Sequence, residues 1–125
     1  MATILVVDDE PLIRLELAEA LEDIGFDVLH ADDGFDALKV ARRLKPALVV
    51  TDFKMPVMNG IELAQAIHHH YKKSVPPIIL RSAHEAAPKF AHCGLFAAVY
   101  DKSVPVAGLV NQVVDEVCRA SRRIG

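Results

Sequence analysis

The sequence is short of four things, each of which would have pointed to a class of protein. It has two cysteines in 125 residues, Cys93 and Cys118, with neither C-x-x-C spacing nor the density of a disulfide scaffold. Both read as buried thiols in a protein of a reducing compartment. It has no basic surplus: 14 Lys and Arg against 17 Asp and Glu leave a net charge of −3. The basic residues gather at expected helix ends (Lys39, Arg42, Arg43 and Lys45; then Arg119, Arg122 and Arg123), where they complement the macrodipole instead of forming a nucleic-acid stripe. No apolar run approaches membrane-spanning length, and Met1 leads straight into an apolar strand without a basic n-region or cleavage site. The expectation is a cytoplasmic protein with neither membrane nor nucleic acid as a direct partner. Finally, no Gly-, Ser- and Thr-rich loop follows the first apolar run, as a flavin-binding domain would need to cradle a phosphate; Asp8-Asp9-Glu10 stands there and would repel one.

What the chain does have is a hydrophobic content of 52%, enough for one domain over residues 1–125 that buries roughly two-thirds of its unfolded surface. Short apolar runs alternate with stretches of helical period, the pattern of a parallel sheet covered by helices on both faces. The first strand is Thr3 to Val7, ending in Asp8-Asp9. Pro11 then opens a helix whose stripe is Ile13, Leu17, Leu21 and Ile24, stopped by Gly25. A second strand covers Asp27 to Ala31, and Asp33-Gly34 opens a helix that ends near Leu44, before Pro46. Ala47 to Thr51 reads as a strand buried on both faces that delivers Asp52 at its carboxyl end.

A helix from Ile61 to about Tyr71 carries Leu63, Ala64 and Ile67, and Pro76-Pro77 closes the connection to a fourth strand, Ile78 to Leu80, leading into Arg81-Ser82. A weak alanine-rich helix from about Glu85 to Cys93 stops at Gly94. Ala97 to Tyr100 forms a fifth strand ending in Asp101-Lys102. The last helix, Pro105 to about Arg122, shows the stripe Val106, Leu109, Val110, Val113, Val117 and Ala120. Phe35, Phe90 and Phe96 read as core. His68-His69-His70 reads as a solvated helix end, because consecutive helical residues splay about 100° apart and do not chelate one ion.

Doubly wound sheets bind ligands beyond the carboxyl ends of their strands. Those ends present Asp8, Asp9, Asp52, Ser82 and Lys102. Alone, each has an ordinary reading: a solvated loop start, a turn former, a helix cap, an exposed charge. Together they do not, because loop polarity gives no reason for acids on the first and third strands and a lysine on the last. Converging carboxylates repel unless one is protonated or a cation joins them. Mg²⁺ suits hard oxygen ligands and a phosphate partner, while Lys102 and Ser82 suit phosphoryl oxygens. Phosphoryl transfer asks for this kind of positioning and charge stabilisation, with Asp52 as the carboxylate nucleophile.

With these residues in place, the chain resembles the receiver domains of two-component response regulators over essentially its whole length. The matching pieces are Val7-Asp8-Asp9-Glu10-Pro11, the run from Asp52 to Gly60 (D-x-x-M-P-x-M-x-G), the run from Pro77 to Ala83, and Asp101-Lys102. The resemblance implies a flavodoxin-like five-stranded parallel sheet of order 2-1-3-4-5. It makes Asp52 the phosphoacceptor, Asp9, Asp52 and the Lys54 carbonyl direct Mg²⁺ ligands, and Asp8 a ligand through water. Ser82 and Lys102 would hold the phosphoryl oxygens, and Lys54 and His84 would tune how long the group lasts, with small Ala83 leaving the site open.

The implied donor is a phosphohistidine on a sensor histidine kinase or phosphotransfer domain. The implied target is a downstream protein or an output domain, and a homodimer could form through the face made by the fourth helix, fifth strand and last helix. Such a domain is a regulatory phosphoacceptor, not an enzyme, although it contributes to its own transfer and dephosphorylation.

Three departures from the family pattern stand out. Ser103 follows the lysine where proline is usual. Val99 stands three residues before Lys102, where an inward-turning aromatic is common, with Tyr100 one residue later. Arg81 takes a normally apolar position, either as a snorkelling strand-end residue or as an extra charge near the site. Two rivals follow from the same residues. A Mg²⁺-dependent phosphatase with an aspartyl nucleophile would need a second acid where Lys54 stands, and a phosphate-independent interaction module would not need the complete acidic site.

Overall fold

A computed structural model describes residues 2–82 and 93–124, with no account of the side chains beyond residue 120. The strands are β1 (Thr3–Val7), β2 (Asp27–Ala31), β3 (Leu48–Asp52), β4 (Ile78–Ser82) and β5 (Ala98–Asp101). The helices are α1 (Pro11–Asp23), α2 (Gly34–Arg43), α3 (Gly60–Tyr71), followed by a 3₁₀ turn at Lys72–Ser74, and α4 (Val106–Ile124). All strand pairs are parallel and the order is β2-β1-β3-β4-β5, the expected doubly wound sheet. The helix expected near 85–93, together with Ala83, His84 and Phe90, falls outside the described residues apart from its last position, Cys93.

Strand alternation divides the core in two. Leu5, Val7, Val49 and Ile78 pack with α2 and α3 through Ala37, Leu38, Ala41, Leu63, Ala64 and Ile67. Ile4, Val6, Leu48, Val50 and Ile79 pack on the other face against Leu17 and Leu21 of α1 and Leu109 and Val113 of α4. Every residue of β3 is buried, as expected for a central strand covered on both faces. Tyr100 joins the second face, and its hydroxyl donates to Gln112 Oε1 at 3.0 Å. Gln112 Nε2 in turn donates to Glu116 Oε1 at 3.0 Å.

Local chemistry sets the helix ends. Gly25 adopts φ 102°, which an L side chain rarely tolerates, just after α1. Asp33 accepts the Asp36 N–H at 2.8 Å and starts α2. Asn59 and Glu62, at the N-x-x-E spacing, form a reciprocal capping box at α3.

Several expectations are corrected. Cys93 and Cys118 are exposed free thiols, not buried ones. Phe35 is an exposed side chain under the Lys39 ammonium, 4.7 Å from its centroid, whereas Phe96 does pack against the core. Ile24 is exposed rather than part of the α1 stripe, since the helix ends at Asp23. His68 is half-buried and not simply solvated: its Nε2 lies 2.9 Å from the Leu95 carbonyl oxygen and ties α3 to the approach to β5. His69 and His70 are exposed, as expected.

The loop between β3 and α3 is clasped tightly. Gly60 N–H donates to the Phe53 carbonyl at 2.8 Å, and a Cβ on Gly60 would lie 2.3 Å from the Asp52 carbonyl oxygen. Between them, Met58 N–H donates to the Pro56 carbonyl at 2.7 Å around Val57, whose φ is 71°, a γ-turn with a β-branched residue at its strained centre. Gly60→Ala is expected to destabilise the domain by about 1–3 kcal/mol, because the clash is with backbone and not with a side chain that can turn away. Urea denaturation measures it, and an unchanged midpoint would refute the close approach.

Candidate functional site

Register puts the acids together. Ile4 pairs with Leu48 and Val6 with Val50, so the next same-face rung after two apolar ones holds Asp8 and Asp52. Both are 4% exposed. Asp8 N–H still bonds to the Ala31 carbonyl, 3.1 Å away, which holds the residue in line with β1 one position beyond the strand's end. Arg14 of α1 donates from Nη1 to the Asp8 carbonyl at 2.7 Å, and Asp8 Oδ1 accepts the Glu10 N–H at 2.9 Å. Asp9 points out to solvent as the chain leaves the sheet, yet one oxygen from each of Asp8, Asp9, Glu10 and Asp52 lies within 4.8 Å of the others.

The positive charge arrives from the far edge of the sheet. β4 pairs Arg81 with Asp52 on one side, and on the other pairs Ser82 with Asp101. Lys102 N–H donates to the Ser82 carbonyl at 2.8 Å, and its ammonium then reaches across to Asp52 Oδ2 at 3.0 Å, Glu10 Oε1 at 3.0 Å and Asp8 Oδ2 at 3.5 Å. One cation is thus shared by three acids, two of them buried.

The charges set the acidities. Burial, then repulsion from Asp8, pushes Asp52 up to about 6, against the pull of Lys102. Burial likewise raises Asp8, opposed by the Glu10 amide and Lys102. For Lys102, burial is the largest single influence and favours the neutral amine, but Glu10, Asp52 and Asp8 together outweigh it and hold the ammonium above its usual value. Near neutral pH the cluster therefore carries more carboxylate charge than one lysine balances.

Asp8, Asp9, Asp52 and Lys102 come together as the sequence suggested. Ser82 is buried at the end of β4, one strand away from Asp52. Lys54 lies in the loop two residues past Asp52 with its side chain exposed. Arg81 is only 6% exposed, so it does not snorkel into water. Tyr100 faces α1 and α4, while Val99 takes the other side of β5. Glu10 is the residue that sequence reasoning missed: its side chain is 58% exposed but holds Lys102, a contact between residues 92 apart that no local pattern announces.

The donor set fits a hard divalent cation. Among the described residues it offers several carboxylate oxygens within a small sphere, a surplus of negative charge, and no sulfur or imidazole ligand.

Residues 4–101 match the family described as response regulator receiver domain. The transcriptional regulatory protein PdtaR of Mycobacterium tuberculosis is 40% identical over 81 residues, covering 64% of this chain and 38% of that protein. Protein PilH of Pseudomonas aeruginosa is 38% identical over 80 residues, covering 64% of this chain and 66% of PilH. The chain thus spans little more than a third of the first of these. Among solved structures, the response regulator TrrA of Thermotoga maritima, in complex with Mg²⁺-BeF, superposes with a TM-score of 0.83 at 34% identity, over 93% of this chain and 99% of that one.

The raised pKa of Asp52 has a consequence for stability. The folded chain holds a proton there that the unfolded chain releases near 3.8, so this group's contribution is greatest below about pH 4 and is lost as pH rises through about 6. In metal-free solution Asp52→Asn should stabilise the fold at neutral pH by up to about 3 kcal/mol, with the gain fading toward pH 4. Paired urea titrations in EDTA across that range test it; a gain independent of pH would exclude the ionised carboxylate as its source.

Proposed function

Because the chain belongs to the response regulator receiver domains of two-component signalling, we propose that it accepts a phosphoryl group onto Asp52 from a phosphohistidine of a sensor kinase or phosphotransfer domain, and that the added charge switches a protein-binding surface. The observation that carries this reading is the Asp52 carboxylate, at the end of the central strand, under an ammonium that it shares with Asp8 and Glu10.

In the transfer, an Asp52 carboxylate oxygen bonds to phosphorus as the bond from phosphorus to the donor imidazole nitrogen breaks. The imidazole keeps that electron pair, and Asp52 becomes an acyl phosphate. A nucleophile must be ionised, and near neutral pH Asp52 is past its value of about 6. Lys102 Nζ, already 3.0 Å from Asp52 Oδ2, is placed to follow the charge onto the phosphoryl oxygens, and the Ser82 hydroxyl supplies a second donor from β4. A Mg²⁺ ion held by Asp8, Asp9, Asp52 and the Lys54 carbonyl would neutralise the charge that the donor phosphate brings to this acidic site. The Mg²⁺-BeF complex of TrrA supports the same chemistry here.

Repositioning of Ser82, the last residue of β4, and of Lys102, the first residue beyond β5, carries the switch toward the edge of the sheet formed by β5 and α4. The recipient is a downstream protein or an output domain. No observation favours the phosphate-independent module over this reading.

Intact mass after incubation with phosphoramidate is expected to show a labile, Mg²⁺-dependent adduct of one phosphoryl group on the wild type and none on Asp52→Asn. An adduct of equal yield on both would place the acceptor elsewhere. Asp9→Asn is expected to weaken Mg²⁺ binding by roughly tenfold or more, read by calorimetric titration; unchanged affinity would remove Asp9 from the ligand set.

A further inference from the structure

A lysine has four rotatable side-chain bonds, so it delivers its charge to a fixed point only if its backbone is fixed first. For Lys102 that support comes from Ser82 across the sheet and from Asp101 beside it. Sheet pairing ends with the rung Ser82 and Asp101, and the Lys102 N–H on the Ser82 carbonyl is the last bond the ladder supplies. Beyond it the chain turns away from β5. The turn is closed by Asp101 twice: its side-chain Oδ1 accepts the Ser103 N–H at 2.8 Å, and its carbonyl accepts the Val104 N–H at 3.0 Å. The three successive amides around the lysine are therefore all held, one by Ser82 and two by Asp101.

The carbonyl is common to every residue type, but the carboxylate is not. An aspartate side chain is short enough to reach the amide two residues on, and so closes a turn in a way that alanine or a longer acid does not.

We propose that Asp101 is a positioning residue for Lys102: by closing the turn over residues 101–104, its side chain sets where the ammonium stands between Asp52 and Glu10. The effect on phosphoryl transfer rests on the phosphoacceptor reading; the placement of the ammonium does not. In this role Asp101 acts through the lysine and not on the phosphoryl group itself.

The test uses the full chain as wild type, Asp101→Ala, Asp101→Asn and Lys102→Ala, the last marking the rate without the ammonium. Three readouts are compared: the rate of phosphorylation by phosphoramidate with Mg²⁺, the melting temperature, and the ¹³Cε and ¹⁵Nζ resonances of Lys102, which report its contact with the carboxylates whether or not a phosphoryl group is ever bound. Asp101→Ala should slow phosphorylation about fivefold to tenfold, the worth of one ordinary hydrogen bond, and move the Lys102 resonances toward those of a free lysine, with little change in melting temperature. Asp101→Asn keeps the Oδ1 acceptor and should restore both readouts to within about twofold of wild type.

Wild-type rate and resonances in Asp101→Ala would overturn the proposal, as would an Asp101→Asn variant as impaired as the alanine. If the wild type itself takes up no phosphoryl group, the phosphoacceptor reading fails, and the Lys102 resonances still decide whether Asp101 places the ammonium.

Discussion

Carboxylates repel one another, and burial in a poorly polarisable interior makes the repulsion worse. This domain nevertheless places Asp8 and Asp52 side by side at the top of its two central strands and adds Asp9 and Glu10 at the rim. The cost is borne by the hydrocarbon below. Ile4, Val6, Leu48 and Val50 are fully covered on the same face, and their packing fixes the register so firmly that the acids have nowhere else to go. The Lys102 ammonium offsets part of the strain, and what remains is a standing demand for positive charge. A site of this kind is poised for a divalent cation and for an electrophilic phosphorus, and its readiness comes from the sheet rather than from a pocket shaped around a ligand.

Much of this was legible beforehand because it follows from local rules. The bounds of β1 and β2 came directly from short apolar runs between turn formers, and Asp33 announced the start of α2 as a helix cap. The two ends of β3 and β4 moved by a residue or two, which matters little except that Asp52 and Ser82 turn out to be the last residues of their strands and not the first of the loops. The acids on the first and third strands, with the lysine on the last, needed only the topology of a doubly wound sheet to be recognised as one site.

What escaped were contacts that span the chain. Neither Glu10 to Lys102 nor His68 to the Leu95 carbonyl leaves a trace in any window of neighbouring residues. Exposure was also misjudged for Phe35 and both cysteines, since residue type gives a preference for burial and not a position. Tyr100 belongs to the same class: it sits on the α1 and α4 side of the sheet because β5 ends at Asp101, and that boundary is set by pairing with β4. The chain from its hydroxyl through Gln112 to Glu116, joined there by Arg119, adds a polar coupling between the edge strand and the last helix to their hydrocarbon packing.

The clasp between Phe53 and Gly60 has a bearing on how such a domain can diversify. A segment fastened at both ends, with the glycine pressed against the Asp52 carbonyl, cannot gain or lose a residue without lifting the start of α3 off the strand that carries Asp52. Variation in this segment is therefore restricted to exchange of side chains at fixed length, and the positions free to change are those turned outward, Lys54 and Val57 among them. The rim that an approaching partner meets can be rewritten residue by residue while the acidic cluster beneath it keeps its geometry, so specificity can drift where the buried site stays the same.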